Sequence, residues 1–170
     1  PIGTTETQLD TRKEMVRTSE NGFGNFIADS LRSFFNADIA LMNGGGIRGN
    51  KIYPAGTLLT RGDMLREIPF RNHAVKIEVT GRQLREALEN GFSRIEDKKG
   101  RFPHVSGMTV RYNPSAEPLN RVRSIIVGDS ELEPEKAYSL ATVNFLAAGG
   151  DGYTVFKDCP RSDKYGSSRL

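Results

Sequence analysis

The chain has 170 residues, of which 36% are hydrophobic and 26% are charged, and its formal net charge is +3. This size and balance predict one globular domain with a real core and exclude a disordered chain. No apolar run is long enough to span a bilayer. The opening Pro1-Ile2-Gly3 shows no signal peptide and no initiator Met, which indicates a mature or excised fragment. Cys159 is the only cysteine, so neither an internal disulfide nor a cysteine metal cluster is expected.

The basic residues are spread along the sequence rather than gathered on one segment. The one tight cluster, Lys98-Lys99-Gly100-Arg101, directly follows Glu96-Asp97. A nucleic-acid-binding protein normally concentrates its positive charge on one stripe, together with aromatic residues or a known module. We therefore expect no nucleic acid as a partner and interpret the cluster as a solvated surface turn.

Hydrophobic periodicity and capping signals predict three helices. Apolar residues recur at helical spacing from about 23 to 35. The capping box Thr60-Arg61-Gly62-Asp63 predicts a short helix through Leu65. The capping box Thr80-Gly81-Arg82-Gln83 predicts a further helix whose apolar face includes Leu84, Leu88 and Ile95.

Short apolar or alternating runs predict strands between and after these helices, and strands prevail in the last third of the chain. They are expected at segments 37–42, 73–79, 108–112, 122–127 and 138–142, with a turn at 128–130. Helices and strands are mixed without regular βαβ winding. This pattern predicts an α+β fold, a single domain with a mixed β-sheet flanked by helices.

The most informative segment is Asn43-Gly44-Gly45-Gly46-Ile47-Arg48, which follows the strand expected at 37–42. Glycines such as Gly45 let a backbone approach a ligand closely. Asn43 offers a donor and an acceptor for a polar ring edge, and Arg48 offers a planar fork for phosphate or carboxylate. Glycine-rich turns with incidental polar neighbours are also common, so this segment alone leaves both interpretations open.

A second glycine loop, residues 144–153, follows the strand expected at 138–142 and repeats the same order of residue types. Its Asp151 lies among glycines. An ionised carboxylate there can accept two hydrogen bonds from a sugar diol, or it can form an Asx turn with its own backbone. Two such loops in one small domain favour a shared pocket.

The remaining candidates are aromatic or basic. Phe70 and Phe145 lie in connecting segments, where each could stack on a planar ring or cap the core. The segment from Gly100 to Gly107 is predicted to be a polar loop in which His104 is a candidate general base or metal ligand. We find no dimetal set, no Ser/His/Asp arrangement and no nucleophile elbow, so we predict nucleotide recognition and no catalytic or metal-binding residue in this chain.

Together these motifs resemble the C-terminal domain of 5′-nucleotidases and UDP-sugar hydrolases. The resemblance covers nearly the whole chain, in the family's order, and we interpret residues 1–170 as one such domain. It rests on the motifs Asn43-Gly44-Gly45-Gly46-Ile47-Arg48, Pro69-Phe70-x-Asn72, Thr80-Gly81-x-x-Leu84, Gly100-Arg101-Phe102-Pro103, Val105-Ser106-Gly107 and Asn144-Phe145-Leu146-Ala147-x-Gly149-Gly150-Asp151-Gly152. A segment from Arg17 to Asp29 also resembles the opening helix of that domain.

The resemblance implies a two-domain phosphohydrolase of which only the substrate-binding part is present here. A metallophosphatase domain with two divalent metal ions would precede this chain in the same polypeptide, and this chain would bind no cofactor and be inactive alone. The resemblance further implies a periplasmic, cell-surface or secreted location and a nucleotide or nucleoside as the ligand.

The resemblance also implies a role for each candidate. Phe70 and Phe145 would sandwich the base, whose edge Asn43 would contact. Asp151 would take the ribose hydroxyls, and Arg48 would reach the phosphate or the ribose. Arg17 would be a further phosphate ligand, although family arginines in this helix vary in position.

Several activities share this signature. It does not separate 5′-nucleotidase, UDP-sugar hydrolase and 2′,3′-cyclic phosphodiesterase, and it covers family members that act on non-nucleotide substrates. The alternative from another class is a stand-alone nucleoside- or nucleotide-binding module without catalysis. An upstream metallophosphatase segment in the reading frame would distinguish the two.

Overall fold

The computed structural model describes residues 1–162 and 168–169. The described strands are β1 Gly3–Thr4, β2 Leu9–Asp10, β3 Ile39–Asn43, β4 Ile52–Tyr53, β5 Leu58–Leu59, β6 His73–Thr80, β7 Pro103–Ser106, β8 Met108–Tyr112, β9 Val122–Val127, β10 Ser130–Glu131, β11 Ala137–Val143 and β12 Ser168–Arg169. The α-helices are α1 Lys13–Val16, α2 Gly22–Phe35, α3 Arg61–Glu67, α4 Gly81–Phe92 and α5 Asn144–Ala147. Short 3₁₀ turns cover Gly44–Gly46, Gly150–Gly152 and Thr154–Phe156.

The main sheet has five strands in the order β12-β6-β11-β3-β7. Only β11 and β3 run parallel, and the other neighbours in this sheet are antiparallel. A separate antiparallel sheet has the order β10-β9-β8, and β1 pairs with β5 and β2 with β4. The predicted α+β domain with a mixed sheet is confirmed.

The core lies between the main sheet and its two long helices. Helix α2 packs against β3, β7 and β11, whereas α4 packs against β6, β9 and the turn Thr154–Phe156. Strand β3 is buried at all five positions, because the sheet covers its edges and packed elements cover its faces. Among the described residues, no helix is long and apolar enough to cross a membrane.

Both predicted capping boxes are present. Thr60 Oγ1 accepts from the backbone N–H of Asp63 at 3.2 Å, and the Asp63 carboxylate accepts from the Thr60 N–H at 2.9 Å. Thr80 and Gln83 form the same reciprocal pair at 3.3 and 2.8 Å. These bonds satisfy backbone donors that a helix N-terminus would otherwise leave free. Helix α3, which Thr60 caps, continues to Glu67, two residues beyond the expected end.

The prediction of a polar loop from Gly100 to Gly107 is wrong. Residues 103–106 form β7, which pairs antiparallel with β3 at one edge of the main sheet. Pro103 is compatible with this strand because it lies at the first position of an edge strand, where no ladder donor is required. Gly107 directly follows the strand, whereas Gly100 lies in the turn that precedes it.

Three helical expectations need smaller corrections. Helix α4 ends at Phe92, so Ile95 lies in the following turn rather than on the helix face. Phe26 and Phe34 follow the apolar spacing of α2, but their side chains are 39% and 59% exposed. Arg17 does not lie on α2. It follows the single turn of α1, five residues before α2 begins.

Candidate functional site

The parallel pair β3 and β11 brings the two glycine loops together. Both strands end at the same edge of the main sheet, β3 at Asn43 and β11 at Val143, and each glycine loop begins there. Carboxyl ends of parallel strands are a common place for ligands in sheets of this kind. The loops touch directly, because Asn43 Nδ2 donates to Asp151 Oδ2 at 2.6 Å.

A cavity of about 260 Å³ lies at this junction. All seven residues selected from the sequence line it: Arg17, Asn43, Gly45, Arg48, Phe70, Phe145 and Asp151. The same cavity is also lined by Gly46, Asn72 and Gly100, which the sequence prediction did not select. Asn72 carries the clearest missed signal, since it belongs to the same short motif as Phe70.

The backbone of the first glycine loop forms the floor of the cavity. The N–H of Gly44 donates to the carbonyl of Phe102 and that of Gly45 to the carbonyl of Gly100, both at 2.8 Å. A Cβ on Gly45 would lie 2.7 Å from the Gly100 Cα. Only glycine allows the two backbones to come this close.

Asp151 is held in a fixed, unusual conformation. Its φ of 51° lies in the left-handed region, which Asp and Asn tolerate better than other side chains. Its carbonyl accepts from Asn90 Nδ2 at 3.1 Å, and Asn90 Oδ1 in turn accepts from Arg101 Nη1 at 3.0 Å. The hydrogen bonds of Asn90 and Arg101 therefore support the loop that carries Asp151. No local sequence signal indicated these contacts.

The two phenylalanines are the apolar walls of the cavity. Phe70 is 46% exposed and Phe145 is 42% exposed, so neither ring is a core residue. Phe145 is the second residue of the single turn α5, and a Cβ on Gly150 would lie 2.5 Å from its ring. The guanidinium carbon of Arg48 lies 5.5 Å from the centre of the Phe70 ring, within the range of a cation–π contact.

The cavity carries two arginines and one carboxylate. Arg17 is half-buried and Arg48 is exposed. Burial lowers the pKa of Arg17, and the nearby Arg48 charge lowers it further, whereas Asp151 acts in the opposite direction. Arg17 Nη1 donates to the Lys98 carbonyl at 3.3 Å, but its Nε is buried without a partner among the described residues. Two like charges beside an unused donor fit an anionic ligand.

Lys98 and Lys99 are exposed, and Lys98 adopts the left-handed conformation of a tight turn, so the predicted solvated turn is confirmed for the lysines. Arg101, the last residue of that cluster, is half-buried and points inward. Its Nη1 also donates to Ser93 Oγ at 3.2 Å.

His104 lies outside the cavity and does not fit either role considered from the sequence. Its side chain is 1% exposed, and its Nε2 lies 2.8 Å from the carbonyl oxygen of Val16. Burial lowers its pKa. Among residues 1–162, no three His, Cys, Asp or Glu side chains come together in a way that could hold a metal ion. The described residues therefore do not fit a dimetal centre.

These observations define an α+β domain with a polar, aromatic-walled cavity at the ends of two parallel strands. Comparison with known proteins gives the family. Residues 1–158 match the family model described as the 5′-nucleotidase C-terminal domain. The chain belongs to this family.

The relatives are longer proteins. The chain is 37% identical over 174 residues to the trifunctional nucleotide phosphoesterase protein YfkN of Bacillus subtilis, covering 97% of this chain and 12% of that protein. It is 31% identical over 176 residues to a snake venom 5′-nucleotidase of Crotalus adamanteus, covering 92% of this chain and 30% of that protein.

A solved structure shows the same fold. The crystal structure of a 5′-nucleotidase precursor from Thermus thermophilus matches with a TM-score of 0.87 and 34% identity, covering 98% of this chain and 34% of that one. The chain thus spans about a third or less of the length of these three relatives.

Proposed function

We propose that this chain is the substrate-recognition domain of a metal-dependent nucleotide phosphohydrolase and that the cavity holds a nucleotide. The observation that carries the proposal is the content of one cavity: two exposed phenylalanine rings, one loop-borne carboxylate and two arginines. These groups match the base, the ribose and the phosphate of one ligand.

The base binds between Phe70 and Phe145. Stacking on aromatic rings suits any base, because every base has a π face, and it is worth about 1–3 kcal/mol per base. Asn72 fits the base edge better than Asn43. Its half-buried side chain lines the same cavity two residues from Phe70, whereas Asn43 is 3% exposed and its amide nitrogen is engaged by Asp151.

The ribose binds at Asp151, with Asn43 orienting the carboxylate. The bond from Asn43 Nδ2 uses one oxygen of Asp151 and leaves lone pairs for the two hydroxyls of a riboside. The phosphate binds at Arg17 and Arg48. Arg17 Nε supplies a buried donor that has no other described partner. Gly45 keeps the floor open to the ligand.

Hydrolysis belongs to the whole protein. These three relatives are about three to eight times as long as the matched part, and we propose that a metallophosphatase domain with two divalent metal ions precedes this one. The chain alone then hydrolyses AMP negligibly, with or without added divalent metal. By analogy with the venom relative, we propose a secreted, cell-surface or periplasmic location.

Calorimetric titration of the chain with AMP tests this function. We expect Phe145→Ala and Phe70→Ala each to weaken binding by about 1–3 kcal/mol, the scale for a base stacked on an aromatic ring. Phe34→Ala is the matched control, because Phe34 is also an exposed phenylalanine but does not line the cavity. Unchanged affinity in both cavity variants, with the fold intact, would reject the sandwich.

A further inference from the structure

The position of Arg17 depends on contacts outside its own helix. It follows α1, which is only the four residues Lys13–Val16, with a φ of −109° and a ψ of 0°. A single helical turn has almost no stability of its own, because nucleating a helix costs more free energy than the hydrogen bonds of one turn contribute. The end of this turn must therefore be fixed by its neighbours.

The carbonyl of Val16, one peptide before Arg17, is held from two sides. His104 Nε2 lies 2.8 Å from this oxygen. The first glycine loop packs against the same oxygen, since a Cβ on Gly44 would lie 1.9 Å from it. The Val16 side chain is completely buried. The last peptide before the arginine is thus anchored to β7 and to the floor of the cavity.

This contact determines which ring nitrogen of His104 carries a proton. A carbonyl oxygen only accepts, so Nε2 carries the proton and donates. Nδ1 is buried and has no partner among the described residues, which disfavours a second proton on the ring. The ring packs tightly against α2, since a Cβ on Gly24 would lie 2.1 Å from Nδ1, and edge-on against Phe102 at 5.5 Å.

We propose that His104 is a positioning residue for phosphate binding, acting through Val16 on Arg17 without touching the ligand. The inference rests on the proposed function, in which Arg17 contacts the phosphate. Loss of the donor frees the carbonyl of Val16 and lets the guanidinium move away from the cavity. The base and ribose contacts, which come from other segments, stay in place.

The test compares AMP with adenosine by calorimetry, because the two ligands differ only in the phosphate. His104→Met removes the donor but fills similar space, and His104→Gln offers an amide N–H in place of Nε2–H. We expect His104→Met to weaken AMP about tenfold, the scale of one hydrogen bond to a charged group, with adenosine changed less than about twofold. His104→Gln should recover most of the AMP affinity.

A second variant perturbs the contact between His104 and Val16 from helix α2, against which the His104 ring packs. Gly24→Ala displaces the His104 ring and alters no group in the cavity, so it should show the same phosphate-specific loss. It also carries the test if His104→Met does not fold. In an Arg17→Ala background neither change should weaken AMP further, because the group that they position is gone.

The outcomes separate this inference from the proposed function. If the unaltered chain binds neither adenosine nor AMP, the proposed function fails. If Arg17→Ala selectively weakens AMP but the folded His104 and Gly24 variants lower AMP and adenosine equally or not at all, only the positioning role is overturned.

Discussion

The two glycine loops follow the same order of residue types in the sequence, yet they need glycine for different reasons. In Gly44–Gly46, none of the three is among the described glycines with positive φ, and the need is for space beside neighbouring backbone. In the second loop, Gly149 and Gly152 have φ values of 89° and 82°, so a conformational need is added to the need for space.

The two loops therefore have different structural roles. The first is packed from several sides and forms a rigid floor, which also holds the peptide before Arg17. The second is set by its own backbone and presents Asp151, with support from Asn90. Substitutions that add one methyl group at a time can test the contrast directly.

The largest effect is expected at Gly44. Gly44→Ala would put a Cβ 1.9 Å from the carbonyl oxygen of Val16, and this backbone atom has little room to relax. We expect a loss of about 3 kcal/mol or more in the free energy of unfolding, measured with urea. Gly3→Ala is the control, because nothing lies within 4 Å of its Cβ, and it should be nearly neutral. Equal stability of the two variants would contradict the space argument.

The second effect is on ligand choice at Asp151. Asp151→Asn preserves a side chain that tolerates left-handed φ and an acceptor for Asn43, so the fold should be kept. One ribose hydroxyl then loses its acceptor, and adenosine binding should weaken by about 1–3 kcal/mol. Binding of 2′,3′-dideoxyadenosine should barely change. Equal losses for both ligands in calorimetry would mean that Asp151 only shapes its loop.

The third effect combines backbone conformation with packing in the second loop. Gly152→Ala forces a φ of 82° on alanine, which costs about 1–2 kcal/mol. Gly56, with a φ of 81° and nothing within 4 Å of its Cβ, is a matched control for this cost. Gly152→Ala should exceed Gly56→Ala in urea unfolding, because its Cβ would also lie 2.5 Å from Asn90 Oδ1. A smaller loss at Gly152 would argue against support by Asn90.

The smallest expected effect is a pH dependence of the folding stability that arises from His104, whose ring lies behind the first glycine loop. Burial lowers the pKa of His104 in the folded chain, although the Val16 carbonyl and Glu20 oppose this. As the pH falls below about 6.5, the unfolded chain takes up the proton first, so folded stability decreases. We expect a loss of about 1 kcal/mol between pH 7.5 and 5.5, and this loss should be absent in His104→Gln. Identical pH profiles of the two chains would exclude a lowered pKa.

The sequence predicted the features that depend on local signals. The capping boxes at Thr60 and Thr80 and the alternating strand at His73–Thr80 are confirmed, because neighbouring residues determine them. Strand β7 was missed because its glycines and Pro103 are typical of loops, and only its edge position in the sheet makes them compatible with a strand. The end of α1, next to Arg17, is held by a contact between Val16 and His104, which are 88 positions apart.

The candidate site could be predicted as a set of residues but not as an arrangement. All seven selected residues line one cavity, and five of them come from the two glycine loops that follow the parallel neighbours β3 and β11. Sequence could not reveal that Asn43 and Asp151 bind one another, which is the reason why we propose Asn72 as the base contact. The support of the second loop by Asn90 and Arg101 likewise depends on tertiary packing alone.

The bond between Asn43 and Asp151 joins residues that are 108 positions apart. The parallel pairing of β3 with β11 spans a similar stretch of chain and cannot form until the segments between them have been arranged. Contacts of such high sequence separation form late, because loop closure must precede them. The ligand cavity is therefore expected to form late in folding, and a bound nucleotide would slow unfolding without accelerating folding.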